Sequence, residues 1–300
     1  MTAYTRRQFN NLLLTGLAAA PVAGLAGTQK AASSRFAGVR VGTQSYSFRD
    51  RSLDDAISAM AALGISYCEL WSSHAERGAM PATASATASR REAQRAWRLA
   101  PATIEYFKSL RAKFDDAGVT LTSYDVPFGN DFSDDEIAAT FACGRALGVS
   151  VITSSSQVPI AARVAPAAAK ANMRVGFHNH SRIAPNEFAR PEDWATAMTA
   201  GPNIAMTLDI GHFTAANFDA LAFLDEHHDH IVSMHIKDRK RDQGATVPFG
   251  QGDAPVAAVL KRLRDSKWDI PAHIEFEYTG DTMAEMKRCL DYCRAVLESK

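Results

Sequence analysis

The sequence has no excess of either charge: 33 Lys and Arg face 33 Asp and Glu, for a formal net charge of +0. Binding along a phosphate backbone draws on many unmatched cations, so nucleic acid is not an expected partner. Cysteine is scarce, four in 300 residues, which is too few for a disulfide framework. Cys289 and Cys293 lie four apart on an expected helix and read as packed thiols rather than a zinc pair. No apolar run reaches the roughly 20 residues that span a bilayer. The longest candidate, Leu12 to Gly27, has 16 residues and is diluted by Thr15, Gly16, Pro21 and Gly24. A stable membrane anchor is therefore disfavoured, and with no cysteine near the end of that run, so is a lipid anchor. A glycine-rich phosphate loop is also missing where a doubly wound nucleotide-binding sheet would carry it, because the first strand-like run continues as GTQSYSFRD.

What is present begins with a leader. Arg6 and Arg7 precede Phe9 and the short apolar run, and small residues follow towards Gly27. This order of charge, apolar segment and small-residue exit is that of an export signal. The paired arginines resemble a twin-arginine signal, whose cargo crosses already folded. Residues 1–32 are accordingly expected to be a signal peptide and linker, cleaved between Ala23 and Ala32, and the mature protein to be periplasmic or extracellular. Residues 33–300 remain for one large domain, whose 46% hydrophobic and 22% charged residues suit a packed core.

Within that domain, short β-branched or apolar runs alternate with helical patterns, which argues for a parallel sheet. The expected strands are 39–44, 65–70, 119–124, 149–153, 174–178, 204–208, 231–235 and 273–277. Helices are expected near 53–63, 103–117, 134–147, 159–171, 191–198, 218–226, 254–263 and 282–297, with Gly64, Gly118 and Gly148 placed to terminate the first three. Eight such units over the 259 residues from Val39 to Leu297 match the roughly 250 of a (β/α)8 TIM barrel. One irregular insertion, 72–100, is rich in Ala, Ser, Thr and Arg and reads as a mobile loop rather than a lid.

In such a barrel the active site lies at the C-terminal strand ends. There the fifth strand gives Phe177, His178, Asn179 and His180, followed by Asn186 and Glu187. The sixth gives Leu208 to His212, the seventh His235 to Asp238, and the eighth Ile274 to Glu277. Histidine and carboxylate at four successive strand ends suit a divalent metal such as Mn, Zn, Co, Mg or Fe without any thiolate. Period-two alternation puts Glu275 and Glu277 on one face. Glu275, nearer the strand body, is the expected ligand and Glu277 a reserve that contacts substrate. Lys237, two residues after His235, can share its face and place positive charge beside a substrate oxygen. Trp71, Tyr46, Phe48 and Phe128 lie near strand ends, where they can stack on a sugar or simply pack the rim.

These residues resemble the sugar phosphate isomerase/epimerase superfamily, the xylose isomerase-like barrels that also include endonuclease IV, inosose dehydratase and ketose 3-epimerases. The specific pieces are LDIGH (208–212), HIKD (235–238), FHNH (177–180) and IEFEY (274–278), with VGTQSYSF and CELW similar to the first two strands. The resemblance implies Asp209, His235 and Glu275 as metal ligands, and His212 and His180 as substrate contacts. In ketose epimerases a metal-binding glutamate ends the strand where this chain has His178. The resemblance then implies Glu187 as the returned carboxylate and fourth ligand, with His178 nearby. A three-zinc nuclease site would need more ligands than this rim offers.

The implied substrate is a small carbohydrate chelated through adjacent oxygens, one of them a carbonyl, so that the neighbouring C–H becomes acidic. Glu275 or Glu187 would act as base and acid on opposite faces, with Lys237 and His212 holding oxygens. Return of the proton gives epimerisation or isomerisation; loss of a β-oxygen substituent gives elimination or glycoside cleavage. A carbohydrate-binding barrel without turnover and a hydrolase using metal-bound water are the alternatives, and an oligomer is left open.

Overall fold

A computed structural model describes residues 33–79 and 87–299. The leader expected over 1–32 lies outside those residues, as does part of the insertion. Eight parallel strands run in chain order: β1 (Val39–Gln44), β2 (Tyr67–Trp71), β3 (Thr120–Asp125), β4 (Val151–Ser154), β5 (Arg174–His178), β6 (Ile204–Asp209), β7 (Ile231–Ile236) and β8 (Ala272–Ile274). Each pairs with the next, and β8 pairs back onto β1 through Ala272, His273 and Ile274 against Val41, Gly42 and Thr43. The sheet is therefore a closed (β/α)8 barrel, a form that leaves no strand edge exposed. All six residues of β6 are buried, as a strand covered on one face by the interior and on the other by helices requires.

The helices are α1 (Leu53–Leu63), α2 (Ser72–Arg77), α3 (Thr87–Leu99), α4 (Pro101–Asp116), α5 (Asp134–Leu147), α6 (Ile160–Ala171), α7 (Pro191–Met198), α8 (Ile210–Ala215), α9 (Ala220–His227), α10 (Val256–Ser266) and α11 (Thr282–Glu298). Helix α5 shows how sequence sets their limits. Ser133 and Glu136 form a reciprocal capping box, and Gly148 ends the helix at φ 75°.

The interior is partly polar. His273 Nδ1 lies 3.0 Å from Ser233 Oγ and its Nε2 lies 2.8 Å from Thr122 Oγ1. Glu69 Oε2 accepts from Ser123 (2.9 Å) and Ser233 (3.1 Å). Room for the His273 ring comes from Gly42, where a Cβ would lie 2.8 Å from that ring and 2.7 Å from the Tyr67 carbonyl oxygen. Burial lowers the His273 pKa to about 4, so the ring sits neutral in its hydrogen bonds.

The insertion differs from the loop expected of it. Where described, residues 72–100 form α2 and α3, and α3 is held by charge rather than by an apolar stripe. Arg91 and Arg95 bind the buried Glu136 carboxylate at 2.6–3.0 Å, and Arg98 makes a two-pronged pair with Glu76 at 2.8 and 2.9 Å. Arg91 and Arg98 also lie over the Phe132 ring. With Trp97 its one described large apolar contact, on Tyr106 and Phe107, and carboxylates as its other main partners, the helix offers little hydrophobic period to read. The four cysteines are free and buried, and no described helix is long and apolar enough to cross a membrane.

Candidate metal centre

The ends of β5 to β8 meet at one point. His178, Asp209, His235 and Glu275 are all buried, and each offers a ligand atom within 4.8 Å of the others. How each is held follows from its neighbours. Asn179 grips the end of β6: its Oδ1 accepts from the Asp209 N–H (2.8 Å) and its Nδ2 donates to the Asp209 carbonyl (3.1 Å). Asp209 Oδ1 caps α8 by accepting from the His212 N–H at 2.7 Å. That bond turns Oδ2 towards the group. Ser155 Oγ, 3.0 Å from His178 Nδ1, can take the proton there and leave Nε2 as the lone-pair nitrogen.

His235 has a similar backing. Its Nε2 lies 2.7 Å from Glu69 Oε1 and its Nδ1 2.8 Å from Glu275 Oε2. Glu69 is fully buried in β2 and was not among the residues expected from the sequence. A signal for it was present: a carboxylate inside the apolar run of CELW must find a partner, because an unpaired buried charge is prohibitive. Despite burial, His235 and His273 hold the Glu69 pKa down to about 2. The reciprocal effect of Glu69 and Glu275, overriding desolvation, raises that of His235.

The donor set fits a divalent ion. His178 Nε2 has no hydrogen-bond partner and lies 3.5 Å from Asp209 Oδ2, while Asp209 Oδ2, Glu275 Oε2 and His235 Nδ1 meet only charged neighbours within the site. Two imidazoles and two carboxylates packed this closely make a donor set that a divalent cation can share. A metal would also displace the proton that His235 holds in the charged form.

A cation of the chain itself stands beside them. The fully buried Lys237 Nζ lies 3.0 Å from Asp209 Oδ2, 3.1 Å from Glu275 Oε2 and 2.7 Å from Glu277 Oε2. Burial opposes its charge, but those three carboxylates prevail and raise its pKa. In turn Lys237, with His235, draws Glu275 below the usual carboxylate range in spite of desolvation, and Lys237 with His212 does the same for Asp209. Gly211 permits this approach, since a Cβ there would stand 2.8 Å from the Lys237 carbonyl oxygen. His212 sits between two cations, Arg239 Nη1 at 2.7 Å from Nδ1 and Lys237 Nζ at 3.0 Å from Nε2. A neutral imidazole accepts at one nitrogen only. Both cations can only donate, so one of these two contacts is not a hydrogen bond. Burial, then Lys237, lowers the His212 pKa well below its ordinary value and keeps it neutral.

Several expected residues lie elsewhere. Glu187 is not one of the four; His178 stands where a fourth ligand was sought. Glu187 is half-buried in a neighbouring cavity of about 260 Å³, where its Oε1 accepts from Gln157 Nε2 at 3.3 Å. The cause is local: the 186–188 segment pairs with the loop after β4, through a Gln157–Glu187 bridge and the Val158 N–H donating to the Asn186 carbonyl. Trp71 packs with Tyr46, His74 and Arg77 on the rim, and Phe48 is wholly buried. His180 lines the Glu187 cavity and touches His178 edge-on, with ring centroids 5.0 Å apart.

Known proteins share this architecture. A family model described as "Xylose isomerase-like TIM barrel" matches residues 160–296. L-ribulose-5-phosphate 3-epimerase UlaE of Escherichia coli is 33% identical over 89 residues, 29% of this chain. The match spans about a third of that relative's length, 31%. Among solved structures, the probable 3-DHS dehydratase AsbF of Bacillus anthracis superposes with a TM-score of 0.63 at 14% identity, over 84% of this chain and 98% of its own. The IOLI protein with a bound zinc atom gives a TM-score of 0.63 at 12% identity, over 87% and 100%. The chain thus has the xylose isomerase-like TIM barrel fold.

Proposed function

We propose that the protein is a divalent-metal-dependent enzyme of isomerase or epimerase type, which removes a proton beside a carbonyl of a small carbohydrate. The observation that carries this reading is the convergence of four buried donor atoms, from His178, Asp209, His235 and Glu275, within 4.8 Å of one another at the mouth of the barrel. The epimerase matched over 89 residues and the zinc-bearing barrel support it. A bound Mn, Zn, Co, Mg or Fe ion would supply Lewis acidity at adjacent substrate oxygens.

The chain's own groups supply the rest. Glu275, kept ionised beside Lys237 and His235, has the carboxylate form that a base needs. Lys237 keeps its ammonium and donates to a substrate oxygen that gains negative charge. His212, neutral beside Lys237, is placed to contact a second oxygen. Glu277 tethers Lys237 at the mouth, and Glu187 meets the sugar from the adjoining cavity rather than through the metal. The same groups serve elimination, which differs only in the bond that breaks after the proton leaves. Export, read from residues 1–32, goes with this proposal as the compartment where substrate is met.

The test is metal analysis of purified protein, followed by solvent deuterium uptake into ketoses and 3-keto sugars with several divalent ions. Wild type is expected to carry metal and to exchange the proton beside the carbonyl; Asp209→Ala and Glu275→Ala should do neither. Metal without exchange would replace this reading with a binding protein. Product formed with no deuterium at carbon would replace it with a hydrolase.

A further inference from the structure

The cavity that holds Glu187 opens beside the donor group and shares two residues with its surroundings. Ser155, on its wall, backs His178 Nδ1, and His180 packs on the His178 ring. Its volume of about 260 Å³ is below the roughly 300–1,000 Å³ of a complete ligand site. It therefore suits the remote part of a ligand whose reacting part lies at His178, Asp209, His235 and Glu275. What lines it is uncharged but for one carboxylate: Asn130, Ser155, Ser156, Gln157, His180 and Glu187 supply its polar groups, with no lysine or arginine.

Those groups are ordered. Asn130 Nδ2 donates to Gln157 Oε1 at 3.1 Å and Gln157 Nε2 donates to Glu187 Oε1 at 3.3 Å, so amide, amide and carboxylate form one chain across the cavity. Hydroxyl groups can donate to Glu187 and accept from the amides. A phosphate dianion would meet a carboxylate with no cation to offset it.

Resting on the metal-dependent reading above, we propose that this cavity is a subsite for an uncharged, hydroxylated extension of the substrate, such as a second sugar, and that Glu187 rejects phosphorylated sugars. In this the chain differs from the epimerase it matches, whose name specifies a 5-phosphate. Glu187 acts here as a specificity residue rather than as a ligand of the metal.

Three ketoses differ only at O6 and serve as probes: D-fructose, fructose 6-phosphate and isomaltulose, which is fructose glucosylated at O6. Their affinities are measured by titration with saturation-transfer NMR on the metal-loaded protein, a binding readout that does not depend on turnover. Isomaltulose should bind about tenfold more tightly than fructose, and fructose 6-phosphate about tenfold more weakly, each step being about 1.4 kcal/mol. Glu187→Gln, which keeps shape and removes charge, should recover most of the loss for the phosphate ester, with an unchanged melting temperature as the control for folding. Equal affinity for fructose and isomaltulose, or preference of wild type for the phosphate ester, overturns the proposal; so does a folded Glu187→Gln variant with unaltered discrimination. Failure of deuterium exchange with the expected binding order would count against the catalytic reading alone.

Discussion

At the scale of single residues, Glu69 and Asn179 hold His235 and Asp209 of the candidate metal centre in place. Glu69 takes the Nε2 side of His235, which leaves Nδ1 as the atom that faces Glu275 and the proposed ion. Hydrogen-bonded carboxylates behind metal-binding imidazoles fix the tautomer and raise basicity, and their loss costs roughly 10- to 100-fold in affinity. Glu69→Gln should therefore weaken divalent binding by about tenfold or more, read by competition with a chromophoric chelator. Its cobalt-loaded form should show a shifted visible spectrum, which a purely structural role would not produce. Unchanged affinity and spectrum would remove Glu69 from the site. Of the expected ligands, Asp209, His235 and Glu275 meet at one point. Glu187 does not, because a backbone bridge to Gln157 turns it aside and His178 reaches inward in its place.

Helix α3 shows what an element can hide. It is held to α5 by Arg91 and Arg95 on Glu136, a carboxylate buried under their guanidinium groups. Burial would push the Glu136 pKa up, but Arg91, the Ser133 backbone and Arg95 hold it down to about 2 from 4.5. A carboxyl whose folded pKa is depressed contributes stability that is complete above its unfolded value and is lost as pH falls through the folded one. The clasp should therefore weaken between pH 4.5 and about 2. In urea unfolding across that window, wild type should lose stability steeply, while Glu136→Gln should start less stable at neutral pH and show a flatter profile. Parallel profiles for the two proteins would show that Glu136 does not hold α3. Strands were easier to read than this helix, since β1, β5 and the start of β6 match the apolar runs to the residue. The eighth strand ends at Ile274, and the Glu275 N–H still donates to the Ile236 carbonyl.

For the whole molecule, the proposed cation, shared by four strand ends, would tie half of the barrel ring together. An ion that binds only the folded chain stabilises it by about 2.7 kcal/mol when its free concentration is about 100 Kd. In a domain of this size that is roughly 5 to 10 °C in Tm. Chelator treatment should lower the melting temperature by about that amount, and readdition of metal should restore it; in Asp209→Ala neither step should matter. An identical Tm with and without metal would argue against a site at the barrel mouth.

The sequence by itself determined the barrel and the strand ends at which histidine and carboxylate gather. Strand and helix periods, caps and polar strand ends are local signals, each contained within a few neighbouring residues, and LDIGH, HIKD and FHNH carry their chemistry in plain view. Only the tertiary structure decided which side chains meet. Glu69 and His235 are 166 residues apart and come within hydrogen-bonding reach because β2 and β7 face each other across a closed ring. Whether His178 or Glu187 turns inward depends on loop pairing that no periodicity encodes, and the charge on Lys237 depends on three carboxylates brought from β6 and the chain after β8.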